Sequence, residues 1–115
     1  MRRFNKLLAG ASWMGEYGDP DTDDWAYMQA YSPYHNLQAA TSYPPILVTT
    51  STRDDRVHPA HARKLVSKLR DLGKEETTYY YENIEGGHGG AANNKQRAFM
   101  STLAYDFLEQ KLASD

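Results

Sequence analysis

The chain has 115 residues and a mass of 13.1 kDa, which leaves room for one hydrophobic core. Its 40% hydrophobic and 24% charged residues are ordinary globular values, and 13 Lys and Arg against 15 Asp and Glu leave a formal charge of -2, so no basic face for nucleic acid is expected. The absence of cysteine excludes disulfides and thiolate metal sites; it fits a reducing compartment, and a cytoplasmic location is the expectation.

Residues 1–9 include Arg2, Arg3 and Lys6 but no apolar stretch of signal-peptide length, and nothing later approaches a membrane span, so no membrane association is expected. Aromatic side chains crowd the first 43 positions: Trp13, Tyr17, Trp25, Tyr27, Tyr31, Tyr34 and Tyr43. Such residues bury large surfaces while keeping a polar tip, which suits pockets and interfaces as well as a mixed core and surface. The stretch 15–24 holds too many turn formers for a long helix or strand. Asp23 or Asp24 can cap a short helix over Trp25–Tyr31, and Ser32-Pro33-Tyr34 ends it, because the residue before proline is driven out of the helical region.

Near Tyr43-Pro44-Pro45 the pattern changes, dividing a loop-rich aromatic segment (1–43) from a regular unit (44–115). Ile46–Ser51 is a short, β-branched run of the kind buried on both faces of a sheet. Residues 58–72 read as a helix, with Pro59 in its first turn, Ala62, Leu65, Val66, Leu69 and Leu72 as an apolar stripe, and Gly73 as the stop. Residues 77–81 are rich in strand formers, and Asn93 or Asn94 opens a final helix with Ala98, Leu103, Phe107, Leu108 and Leu112 facing inward. The expected fold is therefore α/β, a β-α-β-α unit with a right-handed crossover and two parallel strands. Two parallel strands do not make an independent sheet. Their edges and faces call for further neighbours: the remainder of a catalytic domain, another chain, or self-association through the sheet.

Asp54 follows the first strand, and His88 sits in Gly86-Gly87-His88-Gly89-Gly90 after the second. An acid and then a histidine at the carboxyl ends of neighbouring parallel strands are the arrangement and chain order of a Ser-His-Asp hydrolase. Each residue alone is ordinary, as a turn aspartate or a loop histidine; their joint placement carries the reading. The nucleophile is expected earlier in the chain, on a Gly-x-Ser-x-Gly turn, and no such match is present. Gly10-Ala11-Ser12-Trp13-Met14 comes nearest, but Met14 replaces the last glycine, the preceding segment is not strand-like, and 15–18 is hostile to a helix.

Thr52-Arg53-Asp54-Asp55-Arg56-Val57-His58-Pro59, together with Gly87-His88-Gly89, resembles the carboxyl-terminal catalytic region of the prolyl oligopeptidase family of serine peptidases. Ser32-Pro33-Tyr34-His35-Asn36 and Tyr43-Pro44-Pro45-Ile46-Leu47 extend the likeness over nearly all of the chain from about Leu8. The resemblance implies the C-terminal portion of an α/β-hydrolase fold with an incomplete sheet. It implies that Asp54 is the acid and His88 the base of a catalytic triad, and that Arg56 binds a short peptide substrate cleaved after proline. An ion pair with Asp54 or Asp55 is the other expectation for Arg56, and Asp55 is expected to support its loop. No counterpart of the family's β-propeller is present. Lacking a nucleophile and its oxyanion-hole donor, the chain on its own is expected to have almost no activity. An esterase or aminopeptidase of related fold, and a non-catalytic binding or oligomerisation module, are the competing readings.

Other constellations point to structure. His58 and His61 lie three apart on a helix with no obvious third ligand, the acidic stretch 19–24 lacks the glycine and distal glutamate of an EF-hand, and 86–90 lacks the lysine of a phosphate-binding loop. No metal or cofactor is expected.

Overall fold

A computed structural model describes residues 1–113. Helices α1 (Met14–Tyr17), α2 (Trp25–Tyr31) and α3 (Pro33–Asn36) precede strand β1 (Ile46–Ser51); helix α4 (Ala60–Asp71), strand β2 (Thr78–Asn83) and helix α5 (Asn94–Leu112) follow. Three short 3-10 turns, Phe4–Lys6, Leu8–Trp13 and Glu75–Thr77, complete the order. The strands are parallel and in register from Ile46 opposite Thr78 to Ser51 opposite Asn83. Both therefore end at the same level, and the loops that leave them start side by side.

The element boundaries have local causes. Ser32 is extended (φ -73°, ψ 112°) and Pro33 occupies the first turn of α3, so the proline that stops α2 also opens the next helix. The stretch 15–18, expected to resist helix, supplies most of a single turn that closes with Gly18 N–H donating to Met14 C=O at 2.8 Å. At α4 the His58 Nδ1 accepts the Ala60 N–H (3.0 Å), which starts the helix two residues later than the apolar pattern suggests. Gly73 (φ 75°) ends it with Gly73 N–H to Arg70 C=O and Lys74 N–H to Leu69 C=O, both 2.9 Å, a Schellman closure that needs the left-handed conformation. At α5 the Asn93 side chain accepts the Gln96 N–H (3.0 Å).

Burial is concentrated in few places. Among the described residues Phe4, Met28 and Leu69 are the buried large hydrophobics, at 5%, 0% and 1% exposure. Leu69 lies on the stripe of α4, whose Ala62, Leu65, Val66 and Leu72 are half-buried. The inward face expected of α5 is only partly inward: Leu103 and Phe107 are half-buried, whereas Ala98, Leu108 and Leu112 are exposed. Two strands are too narrow to cover a 19-residue helix; its contacts with β2 include Phe107 against Tyr79 and Phe99 against Tyr81, each with ring centroids 5.3 Å apart, and Lys111 Nζ donating to Tyr79 OH at 2.7 Å.

Candidate active site

Asp54 and His88 are brought together by the two loops that leave the strand ends. The His88 Nδ1 lies 3.0 Å from Asp54 Oδ2 and 3.1 Å from Oδ1. Asp54 is well covered, with 10% of its side chain exposed against 43% for His88. Its Oδ1 also accepts the backbone N–H groups of Arg56 and Val57, both at 2.9 Å, so the carboxylate is fixed by its own loop before it meets the imidazole. Burial works to raise the pKa of Asp54, but the amides of Arg56 and Val57 and the bond to His88 outweigh it and hold the carboxyl below its ordinary value. Asp54 is thus ionised at neutral pH. A carboxylate at Nδ1 selects the tautomer with its proton there and leaves Nε2, on the far side of the ring, with a free lone pair.

The loop carrying His88 is short and tightly tied. Gly90 N–H donates to Gly87 C=O (2.9 Å), closing a turn with His88 in its second position. At Gly86 the returning backbone passes so close that a Cβ would stand 2.8 Å from Ala91 N and 2.9 Å from Gly90 C, so only glycine fits. Beneath the loop the Asn83 side chain is buried, accepting from Glu85 N–H and Gly86 N–H (2.9 Å each) and donating to Gly90 C=O (2.7 Å). The Asp54 loop is tied to the same strand: Thr52 N–H donates to Asn83 C=O (2.8 Å), and Thr52 Oγ1 donates to Glu82 Oε2 (2.7 Å). Glu82 in turn receives Arg63 of α4 through both oxygens, at 2.8 and 2.9 Å. Sequence reasoning missed Asn83 and Glu82; the detectable signal was an Asn placed two and three residues ahead of the amides it accepts, as in an Asx turn.

Two cavities meet at this end of the molecule. A cleft of about 310 Å³ contains Asp54 and His88 together with Val57, His58 and His61. Beside it a cavity of about 530 Å³ is walled by Phe4, Trp13, Tyr17, Tyr31 and Val57, with Arg56 at its side. Val57 and His61 line both. Burial lowers the His61 imidazole below its ordinary value, which leaves the shared wall uncharged at neutral pH. Arg56 is exposed and makes no ion pair with Asp54 or Asp55; the carboxylate of Asp54 is already engaged by His88 and two amides.

The remaining candidates build no second site. Ser12 Oγ donates to Ala9 C=O (2.6 Å) within the turn Leu8–Trp13, and Ser12 does not line the cleft of Asp54 and His88. His58 uses Nδ1 on the Ala60 amide, and no group of three metal-ligating side chains converges among the described residues. In the acidic turn Asp19 Oδ1 accepts Asp21 N–H, Asp24 Oδ2 accepts Asp19 N–H (2.9 Å each), and Asp21 pairs with Lys6 (3.1 Å). Among the described residues no helix is long and apolar enough to cross a membrane.

Parallel strands joined through a helix, with an unfinished sheet, make this chain a portion of an α/β-hydrolase catalytic domain. More narrowly, it belongs to the prolyl oligopeptidase family, whose description matches residues 2–115. It is 48% identical over 113 residues to the uncharacterized peptidase y4nA of Sinorhizobium fredii, covering 97% of this chain and 15% of that protein. Against the prolyl endopeptidase of Elizabethkingia meningoseptica the identity is 46% over 99 residues, covering 84% of this chain and 14% of the enzyme. Among solved structures it superimposes on a prolyl endopeptidase with a TM-score of 0.93 at 34% identity, over 100% of this chain and 17% of the other. A post-proline cleaving enzyme from Rickettsia typhi matches with a TM-score of 0.87 at 34% identity, over 98% and 16%. The chain therefore spans about a sixth of the proteins it matches.

Proposed function

We propose that this chain supplies the acid and the base of a serine peptidase that cleaves short peptides after proline, with Asp54 and His88 in those roles. The observation that carries the reading is the 3.0 Å contact between His88 Nδ1 and a half-buried, ionised Asp54, which turns Nε2 into a base aimed away from the acid. The serine and its oxyanion hole are contributed from outside residues 1–115, since the sequence contains no Gly-x-Ser-x-Gly.

In the reaction the serine hydroxyl attacks the scissile carbonyl while His88 Nε2 takes its proton. Asp54 stabilises the imidazolium that results. His88 returns the proton to the leaving amine as the acyl-enzyme forms, then activates the water that hydrolyses it. Arg56, unpaired with either neighbouring aspartate and standing beside the cavity, is suited to hold the peptide's carbonyl oxygens through its guanidinium. The aromatic cavity next to it suits a compact apolar ring such as that of proline, so part of the specificity pocket comes from Trp13, Tyr17 and Val57.

The exposed apolar side chains of α5 and both outer strand edges also support a role within a larger domain, which covers them. The test uses the polypeptide in which this chain is joined to the rest of such a domain. Reaction with a fluorophosphonate is expected to label a serine outside residues 1–115, and His88→Ala is expected to abolish both labelling and cleavage after proline. Labelling of Ser12 overturns the assignment of the nucleophile, and cleavage indifferent to proline overturns the substrate class.

A further inference from the structure

The two loops that bear Asp54 and His88 are anchored on a single residue. Ser51 and Asn83 are register partners at the ends of β1 and β2. From Asn83 the backbone carbonyl holds the first amide of the acid's loop, Thr52 N–H, at 2.8 Å. Its side chain, in a residue 5% exposed, holds both ends of the base's loop: the amide oxygen accepts from Glu85 and Gly86, and the amide nitrogen donates to Gly90 C=O at 2.7 Å. His88 stands midway between those two attachment points.

Few side chains can do this. The position demands an acceptor for two N–H groups and, on a second atom of the same short stem, a donor for a carbonyl; a carboxamide offers both, a carboxylate has no donor, and a hydroxyl carries its donor and acceptors on one oxygen. An apolar replacement leaves the buried Gly86 amide, and the less covered Glu85 amide and Gly90 carbonyl, without their partner, and the loop must open to let water reach the buried one. Any opening moves His88, because Gly87 to Gly90 is a closed turn that travels as a unit. Asn83 itself is not among the residues lining the cleft of Asp54 and His88.

We propose that Asn83 is a positioning residue for the base: it fixes where the His88 imidazole stands relative to Asp54 without touching substrate. This rests on the triad reading given above. It distinguishes Asn83 from a residue that merely stabilises the fold, because its removal changes the pairing of one imidazole with one carboxylate.

The experiment compares Asn83→Ala and Asn83→Asp in the complete peptidase, with turnover normalised to serine that titrates with fluorophosphonate. Asn83→Ala is expected to lower kcat by about 10²-fold, the scale for a catalytic group displaced by an ångström, with KM unchanged. The acid limb of kcat/KM is expected to move to lower pH as the imidazolium loses its carboxylate, and the low-field Nδ1 proton resonance of His88 to fade. Asn83→Asp keeps the two acceptor contacts and loses the donor, so it is expected to fall between wild type and Asn83→Ala. Should Asn83→Ala not fold, Asn83→Asp is judged on the same acid limb and resonance. Unchanged kcat, acid limb and proton resonance in a folded variant overturn the proposal, as does a loss that disappears on normalisation. His88→Ala and Asp54→Asn measured alongside separate the two readings: if they retain turnover the triad itself is wrong, and if they abolish it while the Asn83 variants are normal, only this inference fails.

Discussion

The strand ends and the face beneath α5 are held together in opposite ways. At the strand ends nearly every polar group has a named partner: Asp54 has His88 and two amides, Asn83 has three loop groups, and Glu82 has Arg63, Thr52 and Tyr80. Under α5 there are two ring contacts and the bond from Lys111 to Tyr79, while Tyr105, Leu108 and Leu112 are exposed at 47% or more. Directional hydrogen bonds specify a geometry within a few ångströms of themselves, whereas apolar burial needs a wide surface. The site is therefore organised by contacts this chain makes itself, and the face of α5 presents apolar surface that this chain does not cover.

The largest effects test the first half of that contrast. Asp54→Asn keeps an acceptor for the Arg56 and Val57 amides but removes the charge and can present an N–H to Nδ1, favouring the wrong tautomer. In the complete peptidase it is expected to lower kcat by about 10⁴-fold, on the precedent of triad acids, with the melting temperature barely moved. Steady-state kinetics and a thermal melt on the same sample check both parts. A variant that melts early and keeps its turnover would make Asp54 a structural residue.

Next in size is the hydrophobic interior. Leu69→Ala removes the fully buried side chain of α4 and is expected to cost about 2–5 kcal/mol, read by urea unfolding. At the other extreme, the isolated chain is expected to self-associate in sedimentation through its exposed apolar surface, and changing Leu108 and Leu112 together to Lys is expected to shift it to monomer, because those side chains are exposed here. In the complete domain the same double change is expected to destabilise, since the proposal has that face covered. Equal, small effects in both settings would mean that α5 is an outer helix throughout, and the contrast between the two regions would lose its meaning.

How much of this was legible in the sequence follows the same division. Ile46–Ser51 and Trp25–Tyr31 were readable residue for residue, because β-branched runs and Pro33 are local signals; the expected aspartate cap is not made, since Asp24 stands at the N-cap position with its carboxylate on Asp19 N–H. Asp54 and His88 could be paired before any coordinates, since two parallel strands joined by a helix bring their carboxyl ends together. The second strand was placed one residue early and ended two residues early. Glu82 and Asn83 are poor strand formers by propensity, and what keeps them there is partners from α4 and the following loop, invisible in a window of neighbours. The aromatic cavity was hidden for a similar reason: Phe4, Trp13 and Val57 share no period and meet only after the first turns fold against the loop of Arg56, where Ala9 N–H donates to Arg56 C=O at 3.3 Å. The α5 stripe misled in the other direction, because helical periodicity marks a face that wants burial without saying whether the burying surface is on the same chain.

The smallest expected effect lies where the strand ends meet α4. The bond from Arg63, followed by those from Tyr80 and Thr52, holds Glu82 at about 2, below its ordinary 4.5. A carboxylate more acidic in the folded than in the unfolded chain contributes stability that is complete above the unfolded value and is lost as pH falls through the folded one. Between about pH 4.5 and 2 the folded chain therefore loses this contribution, and Asp54, also held below its ordinary value, adds to the loss as pH drops beneath 3.8. Glu82→Gln is expected to flatten the acid limb of a stability-against-pH curve while costing less at neutral pH than Leu69→Ala, since the pair is partly solvated and water already screens it. Added salt is expected to shrink the neutral-pH difference further. An acid limb as steep in Glu82→Gln as in the parent chain would place the acid sensitivity elsewhere, and the tie from α4 to the acid's loop would then be a contact of geometry without energetic weight.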